Sequence, residues 1–178
     1  MRILRISLLL LTVITAQQAL PQPGGRAFQF MDVTNSARVA ALGGETVAIN
    51  DHDPDLPYHN PGLLDTTLSH HATLNYVNYL AGINYGYASA STRLGKNMFA
   101  GGIHYLNYGR FDGADETGQL TGSFHAADYS VNLTWARPVD SLITAGITVK
   151  SVYSDLESYR STAIAVDAGI SYFNPRTR

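Results

Sequence analysis

The feature that most constrains the fold of this chain is the regular alternation of apolar and polar residues across residues 128–136. One set of alternate positions is apolar or aromatic: Tyr129, Val131, Leu133 and Trp135. The other set is polar: Asp128, Ser130, Asn132 and Thr134. Because successive side chains of a β-strand point to opposite faces, this period of two predicts a strand with one apolar face and one polar face.

The same alternation recurs towards the end of the chain, in residues 143–150 and 164–172. From residue 70 onward we predict six strands, near 70–79, 82–93, 98–109, 124–137, 140–152 and 159–173. We expect an antiparallel meander in which 137–141 is a tight connection and 111–123 is a long polar loop. Lys150 and Asp167 fall on the polar faces of neighbouring strands, where they are candidates for a lumenal charge network.

Alternation alone fits two all-β architectures. A soluble β-sandwich turns its apolar faces inward, whereas an outer-membrane β-barrel turns them towards lipid and its polar faces towards the lumen. An export signal, tyrosine-rich strand ends and the long loop favour the barrel. Residues 74–90 contain no charged residue. There we expect Ile83, Tyr85 and Tyr87 to face lipid, and Asn84 to face the lumen.

The first residues of the chain predict export. Residues 1–5 include two arginines, residues 6–14 are apolar, and Ala16 offers a small residue for cleavage, with Ala19 as a second choice. This is the pattern of a signal peptide, here residues 1–16. A transmembrane helix is the poorer interpretation, because it needs about 20 consecutive apolar residues and Gln17 interrupts the run.

Residues 17–64 are expected to form a linker and a plug-like segment. A short helix is predicted after Asn35 or Ser36, either of which can cap it, and before the glycine pair at 43–44. Residues 50–64 read as turns. We expect the segment to pack into or across the mouth of the barrel through three alanines: Ala37, Ala40 and Ala41.

Side chains suited to catalysis or metal binding are present but poorly arranged. The acidic residues of 51–55 imitate the start of a calcium loop, but Leu56 and Gly62 stand where that loop needs glycine and glutamate, which favours Asx turns. The six histidines are scattered, which favours solvated loop or interface roles, and no nucleophile motif is present. We therefore predict no catalytic, cofactor-binding or metal site and no enzymatic activity. The formal net charge of −2 argues against nucleic-acid binding.

A succession of segments carries a resemblance to a known family. SARVAALGG is followed by HNPGLL, by LNYVNYLAGINYGYASA, by GGIHYLNYGRFDGADETGQLTGSFHAADYSVNLTWAR and by GITVKSVYSDLESYRSTAIAVDAGISYF. This succession resembles the PorQ family of type IX secretion components, within the wider PorV and FadL-like outer-membrane barrels. The resemblance implies an outer-membrane protein of Bacteroidetes-type bacteria that holds a PorZ-like surface protein and works with other type IX secretion components during cargo attachment.

The chain ends at Arg178, about half way through the barrel that the resemblance implies. Six strands are too few to close an outer-membrane barrel, for which about eight is the lower limit. We therefore expect residues 65–178 to be a partial barrel and the chain to be a fragment.

The sequence leaves three alternative functions open. The first is an outer-membrane anchor for a surface protein, with Asp112, Asp115 and Glu116 of the predicted loop as candidate partner-binding residues. The second is a FadL-like transporter of hydrophobic compounds. The third is a secreted soluble β-sandwich that binds a ligand.

Overall fold

A computed structural model describes residues 28–44, 46–114, 117–156 and 159–174. Within these ranges six strands form one antiparallel sheet, in which each strand pairs with the next along the chain. The strands are β1 (Ala72–Asn78), β2 (Asn84–Leu94), β3 (Asn97–Ala114), β4 (Leu120–Pro138), β5 (Ile143–Leu156) and β6 (Tyr159–Tyr172). The predicted all-β antiparallel meander is confirmed. The predicted signal peptide lies outside the described residues.

The connection between β3 and β4 is shorter than the sequence indicated. The predicted loop at 111–123 is wrong, because β3 continues to Ala114 and β4 begins at Leu120. Phe111 pairs with Phe124 across the two strands, and their rings stack with centroids 5.3 Å apart. This aromatic pair extends the ladder into a polar stretch, since cross-strand aromatic pairs stabilise a sheet.

The β3–β4 pair also extends beyond the rest of the sheet. In the described residues, 110–114 and 120–125 pair with each other and with no other strand. At about 3.3 Å per residue, this projecting hairpin stands about 20 Å beyond its neighbours. A register shift between Asn107 and Gly109, with Gly109 at φ 89°, marks its base.

Residues before the sheet form one short α-helix and several single turns. Helix α1 (Ala37–Ala41) is capped by Ser36, whose Oγ accepts a hydrogen bond from Val39 N at 3.2 Å. It ends at the glycine pair 43–44, where both residues have positive φ, as predicted. The 3₁₀ turns are Gln29–Asp32, Leu56–Tyr58, Pro61–Leu63, Thr66–Leu68 and, between β1 and β2, Leu80–Gly82.

Residues 28–69, which we call the covering segment, pack against one face of the sheet. We call this face the covered face and the opposite one the open face. One apolar cluster joins this segment to β3 and β4: Leu64, Leu68, Met98 and Ala136. A second joins it to β3 and β5: Phe30, Leu106 and Val152. A third lies within the segment: Val39, Leu56 and Leu63. The segment is therefore fixed to the sheet by apolar burial at both ends.

The alanines of α1 do not make this contact. Ala37, Ala40 and Ala41 are all exposed, so the predicted alanine contacts are wrong. A helix of five residues can turn few side chains inward, and in α1 the buried position is Val39. The larger residues of the first two clusters supply the contact with the sheet instead.

The closest approach of segment and sheet occurs at glycines. A Cβ on Gly146 of β5 would lie 2.5 Å from the carbonyl oxygen of Pro61, and one on Gly62 would lie 2.7 Å from the backbone of Ile170. Ser171 Oγ donates a hydrogen bond to the Gly62 carbonyl at 2.6 Å. The turn Pro61–Leu63 thus rests backbone to backbone on β5 and β6, which only glycine permits.

Candidate functional site

The two faces of the sheet have opposite chemistry and opposite exposure. In β4 the polar residue Asn132 is 2% exposed, whereas its neighbour Leu133 is 66% exposed. The pattern continues along the strand, since Ser130 and Thr134 are buried while Val131 and Trp135 are exposed. The predicted sorting of β4 into two faces is confirmed. Its polar face is the covered one.

The apolar residues of the open face are continuous across β3 to β6. Ile103 pairs with Val131 across β3 and β4. One position further along, Leu133 pairs with Val149, and Val149 pairs with Val166 of β6. All five side chains are exposed. The alternation predicted in β5 and β6 therefore produces one broad apolar band.

Aromatic residues border this band at both ends. Tyr105, Tyr129 and Tyr153 pair in a row across β3, β4 and β5, and the first two rings stack at 6.3 Å. At the other end Phe99 pairs with Trp135. Tyr129 and Trp135 are six positions apart in β4, which corresponds to about 20 Å along the strand.

The sequence placed the residues of β2 on the wrong faces. Tyr87 is buried on the covered face, and Ile83 and Tyr85 pack there around the Phe30 cluster. Asn84 lies on the open face, where its Oδ1 accepts a hydrogen bond from Tyr76 at 3.0 Å. The covering segment packs aromatic side chains against this end of the sheet. These side chains give the tyrosines of β2 a buried environment, and this long-range contact decides which face of the sheet the tyrosines occupy.

A compact polar and aromatic core lies between the segment and the covered face. Tyr58 Oη lies 3.2 Å from His104 Nδ1. The rings of Tyr58, Tyr87 and His104 contact one another edge to face, with centroids 5.2 to 6.0 Å apart. Burial raises the pKa of the Tyr58 phenol well above its ordinary value, so this hydroxyl is a neutral hydrogen-bonding group.

His104 has no exposed surface, so the solvated or interface role expected for it is wrong. The signal that would have found it is the alternation in β3. Gly102, His104 and Leu106 share the covered face, while Ile103 lies on the open face. Gly102 leaves room beside it for two polar groups, because a Cβ there would lie 2.7 Å from Asn132 Oδ1 and 2.9 Å from Tyr87 Oη.

Lys150 and Asp167 come together on the covered face. Lys150 Nζ lies 2.8 Å from Asp167 Oδ2. The same ammonium lies 4.1 Å from the centroid of the Tyr58 ring and donates to the Tyr58 carbonyl at 3.3 Å. The pair thus links two strands to the covering segment.

A buried carboxylate ties the segment to the first strand. Asp55 is buried and accepts hydrogen bonds from Thr73 Oγ1 at 2.7 Å and from Asn75 Nδ2 at 2.9 Å. Its backbone carbonyl accepts a further bond from Asn35 Nδ2 at 2.9 Å. Asp55 therefore links residues 28–69 to β1 through hydrogen bonds of its carboxylate.

Two other acidic residues of this turn, Asp51 and Asp53, form ion pairs with Arg38. The Arg38 guanidinium donates to Asp53 Oδ2 at 2.6 Å and also binds the carboxylate of Asp51. These bonds hold the pKa of Asp51 below its ordinary value. Within the described ranges no three His or acidic side chains form a group suited to a metal ion.

The candidate partner-binding residues are only partly described. Asp112 is exposed in the projecting hairpin, where it pairs with Ser123. Asp115 and Glu116 lie outside the described residues. Phe111 and Leu120 give the same hairpin exposed apolar surface. Partner binding by this hairpin stays a prediction.

Comparison with known proteins gives no family assignment. No protein-family model matches the chain, and no curated protein matches it. In the part of the chain that the structure describes, no helix combines the length and the hydropathy needed to cross a membrane.

Proposed function

We propose that this chain contributes strands to an outer-membrane β-barrel of a type IX secretion system, and that it anchors a PorZ-like protein at the cell surface. The observation that carries the membrane part of the proposal is the exposure of the apolar open face opposite a buried polar face. The secretion part rests on the resemblance to the PorQ family, and the projecting hairpin is the candidate contact with the partner.

The open face is suited to lipid. Its band from Ile103 to Val166 crosses four strands, and contiguous apolar surfaces of more than a few hundred Å² mark contacts with membranes or with other proteins. Aromatic rows border the band, as expected at membrane interfaces. Their separation of about 20 Å along the strand is comparable with the apolar band of about 25 Å in outer-membrane barrels.

The covered face argues against a soluble sandwich. A sandwich buries the apolar faces of its sheets against each other. Here the buried face carries Asn132, Thr148 and Lys150, and residues 28–69 already occupy it. A second sheet on the open face would have to cover the aromatic rows as well, whereas lipid solvates the apolar band and leaves those rows at its interfaces.

The packing of residues 28–69 favours an anchor over a transporter. A transporter of hydrophobic compounds needs a passage along its inner face. In this chain the covered face carries buried polar side chains between its apolar clusters, and the turn Pro61–Leu63 rests directly on Gly146. The Lys150–Asp167 pair and the hydrogen bonds of Asp55 to β1 hold the same segment in place. We therefore place residues 28–69 inside the barrel as a fixed plug.

A cellular experiment tests the anchor. Deleting the gene should release one specific surface protein into the medium and leave the uptake of hydrophobic solutes unchanged. Replacing residues 111–123 by a two-residue turn should reproduce the release. The matched control is alanine replacement of residues 139–141, in the turn at the opposite end of β4. A normal surface proteome together with lost fatty-acid uptake would refute the anchor and favour the FadL-like transporter.

A further inference from the structure

A second polar site lies near the base of the projecting hairpin, away from the Tyr58 core. A cavity of about 290 Å³ lies between the start of the covering segment and the four strands β3, β4, β5 and β6. Its walls include Phe28, Gln29, Tyr108, Asp128, Ser154 and Ser161. None of the functions proposed above uses this cavity.

Three oxygen-bearing side chains form a row in its wall. Asp128 of β4 pairs with Ser154 of β5, and Ser154 pairs with Ser161 of β6. Directly paired residues of antiparallel strands place their Cβ atoms about 5 Å apart on one face. The row therefore presents a carboxylate and two hydroxyl groups to the same space.

Asp128 is the unusual member of the row. It is 4% exposed, and its Oδ2 accepts a hydrogen bond from Tyr108 Oη at 2.7 Å. Its Oδ1 is buried and has no hydrogen-bond donor among the described residues. A buried carboxylate oxygen without a donor is destabilising, and a cation or a hydrogen-bond donor relieves that cost.

We propose that this cavity binds a protonated amine or a guanidinium group. Asp128 supplies the charge, and the Ser154 and Ser161 hydroxyls accept further hydrogen bonds from the same cation. The rings of Phe28 and Tyr108 add faces on which a cation is stabilised. Of the described residues that line the cavity, Asp128 alone is charged. No basic side chain of that lining therefore competes with a ligand for the Asp128 carboxylate.

The size of the cavity limits the ligand. Pockets for drug-sized molecules begin at about 300 Å³, so this cavity admits a small alkylammonium ion or one basic side chain. These two sources share the same chemistry. They differ in whether the cation arrives as a free amine or as the lysine or arginine of a protein.

The test is isothermal titration of the folded full chain in detergent micelles at neutral pH. One probe is n-butylammonium chloride, and the other is N-acetylarginine amide as a stand-in for a basic side chain. We expect saturable binding of at least one probe. The neutral analogue N-acetylcitrulline amide should not bind. Binding of the first probe alone identifies a free amine as the source, and binding of the second alone identifies a basic side chain.

Three substitutions make the test specific. Asp128→Asn should weaken binding by more than about tenfold, because the buried charge partner is lost. Ser161→Lys places an ammonium group of the chain opposite Ser154 and should abolish binding; Ser161 is exposed, so this variant is expected to fold even if Asp128→Asn does not. Asp140→Asn, in the turn between β4 and β5, is the matched control and should bind as the unaltered chain does.

Circular dichroism confirms the β-sheet content of every variant before titration. Two results would overturn the proposal: no saturable binding of either probe by the unaltered chain, or equal binding by the unaltered chain and by a folded Ser161→Lys or Asp128→Asn variant. Neither result bears on the anchor, which is tested by release of the surface protein.

Discussion

Leu133 and Asn132 are consecutive residues of β4, yet Leu133 is 66% exposed and Asn132 is 2% exposed. The amide of Asn132 lies beside Tyr87 and over Gly102, beneath the covering segment. The leucine stands in the middle of the apolar band on the other side of the sheet. An apolar side chain is exposed and a polar one is buried within a single dipeptide, the reverse of the arrangement in water-soluble sheets.

A charge in the apolar band should hinder membrane assembly. Leu133→Arg places a guanidinium at the middle of the band, which costs about 2 to 4 kcal/mol when that position faces the bilayer centre. Val139→Arg is the matched control, because Val139 is also exposed but lies in the β4–β5 turn. The yield of folded protein in lipid vesicles should fall for Leu133→Arg alone. Equal yields for the two variants would count against a lipid-facing band.

Filling the contact at Gly146 should loosen the covering segment. The added methyl group of Gly146→Ala would approach the Pro61 carbonyl to 2.5 Å, and overpacking of this kind costs about 1 to 3 kcal/mol. Proteolysis within residues 46–56 should therefore accelerate. Gly101→Ala is the control, because a Cβ there meets Leu133 Cδ2 at an ordinary 3.6 Å. If both variants resist the protease equally, the glycine contact does not fix the segment.

The Lys150–Asp167 pair should respond asymmetrically to neutralisation. The Lys150 side chain is 9% exposed and that of Asp167 is 40% exposed. Asp167→Asn leaves a buried ammonium without its counter-ion and should cost about 1 to 3 kcal/mol, with the partial exposure of the carboxylate limiting the loss. Lys150→Met leaves a carboxylate that water can reach and should cost less.

The double variant completes this comparison, because it removes both charges and should be more stable than Asp167→Asn alone. Denaturant unfolding in detergent measures all three variants. A greater loss for Lys150→Met than for Asp167→Asn would show that the contacts of Lys150 with Tyr58, and not its charge, dominate.

Acid should weaken the contact between α1 and the turn at 51–53. Arg38 holds the pKa of Asp51 below its ordinary value of 3.8. The folded-state pKa is depressed, so the stabilisation is complete above the ordinary pKa and is lost as the pH falls through the folded-state value. NMR titration of the Asp51 carboxyl carbon should give a midpoint below the ordinary value of 3.8 in the unaltered chain, and Arg38→Gln should raise that midpoint. A midpoint that Arg38→Gln leaves unchanged would exclude the ion pair.

The alternation of residue types predicted the sheet because a period of two depends only on the strand itself. Leu133 and Asn132 could be sorted to opposite faces for this reason. Tyr87 could not, because tyrosine is compatible with either face, and its orientation is decided by contact with Tyr58, 29 positions earlier in the chain. Sequence periodicity therefore predicted β4 to β6 well and failed in β2.

The covering segment was less predictable than the sheet. Ser36 and the glycine pair gave the limits of α1, since capping is local chemistry. Gly146 approaches Pro61, 85 positions earlier in the chain, and Gly62 approaches Ile170, 108 positions later. No local sequence pattern predicts contacts over such distances in the chain. Asp128 was identified as a polar-face residue, but its row with Ser154 and Ser161 required the register of three strands.

The proposal that the open face contacts lipid depends most directly on the environment of Leu133. The chain contains no cysteine, so Leu133→Cys can carry a single nitroxide label in protein reconstituted into lipid vesicles. Electron paramagnetic resonance then compares relaxation by oxygen, which concentrates in lipid, with relaxation by a water-soluble nickel chelate. Leu120→Cys, in the projecting hairpin, is the exposed reference. We predict that the label at 133 is relaxed by oxygen and shielded from nickel, while the label at 120 is relaxed by nickel; strong relaxation of both labels by nickel would contradict a lipid-facing sheet.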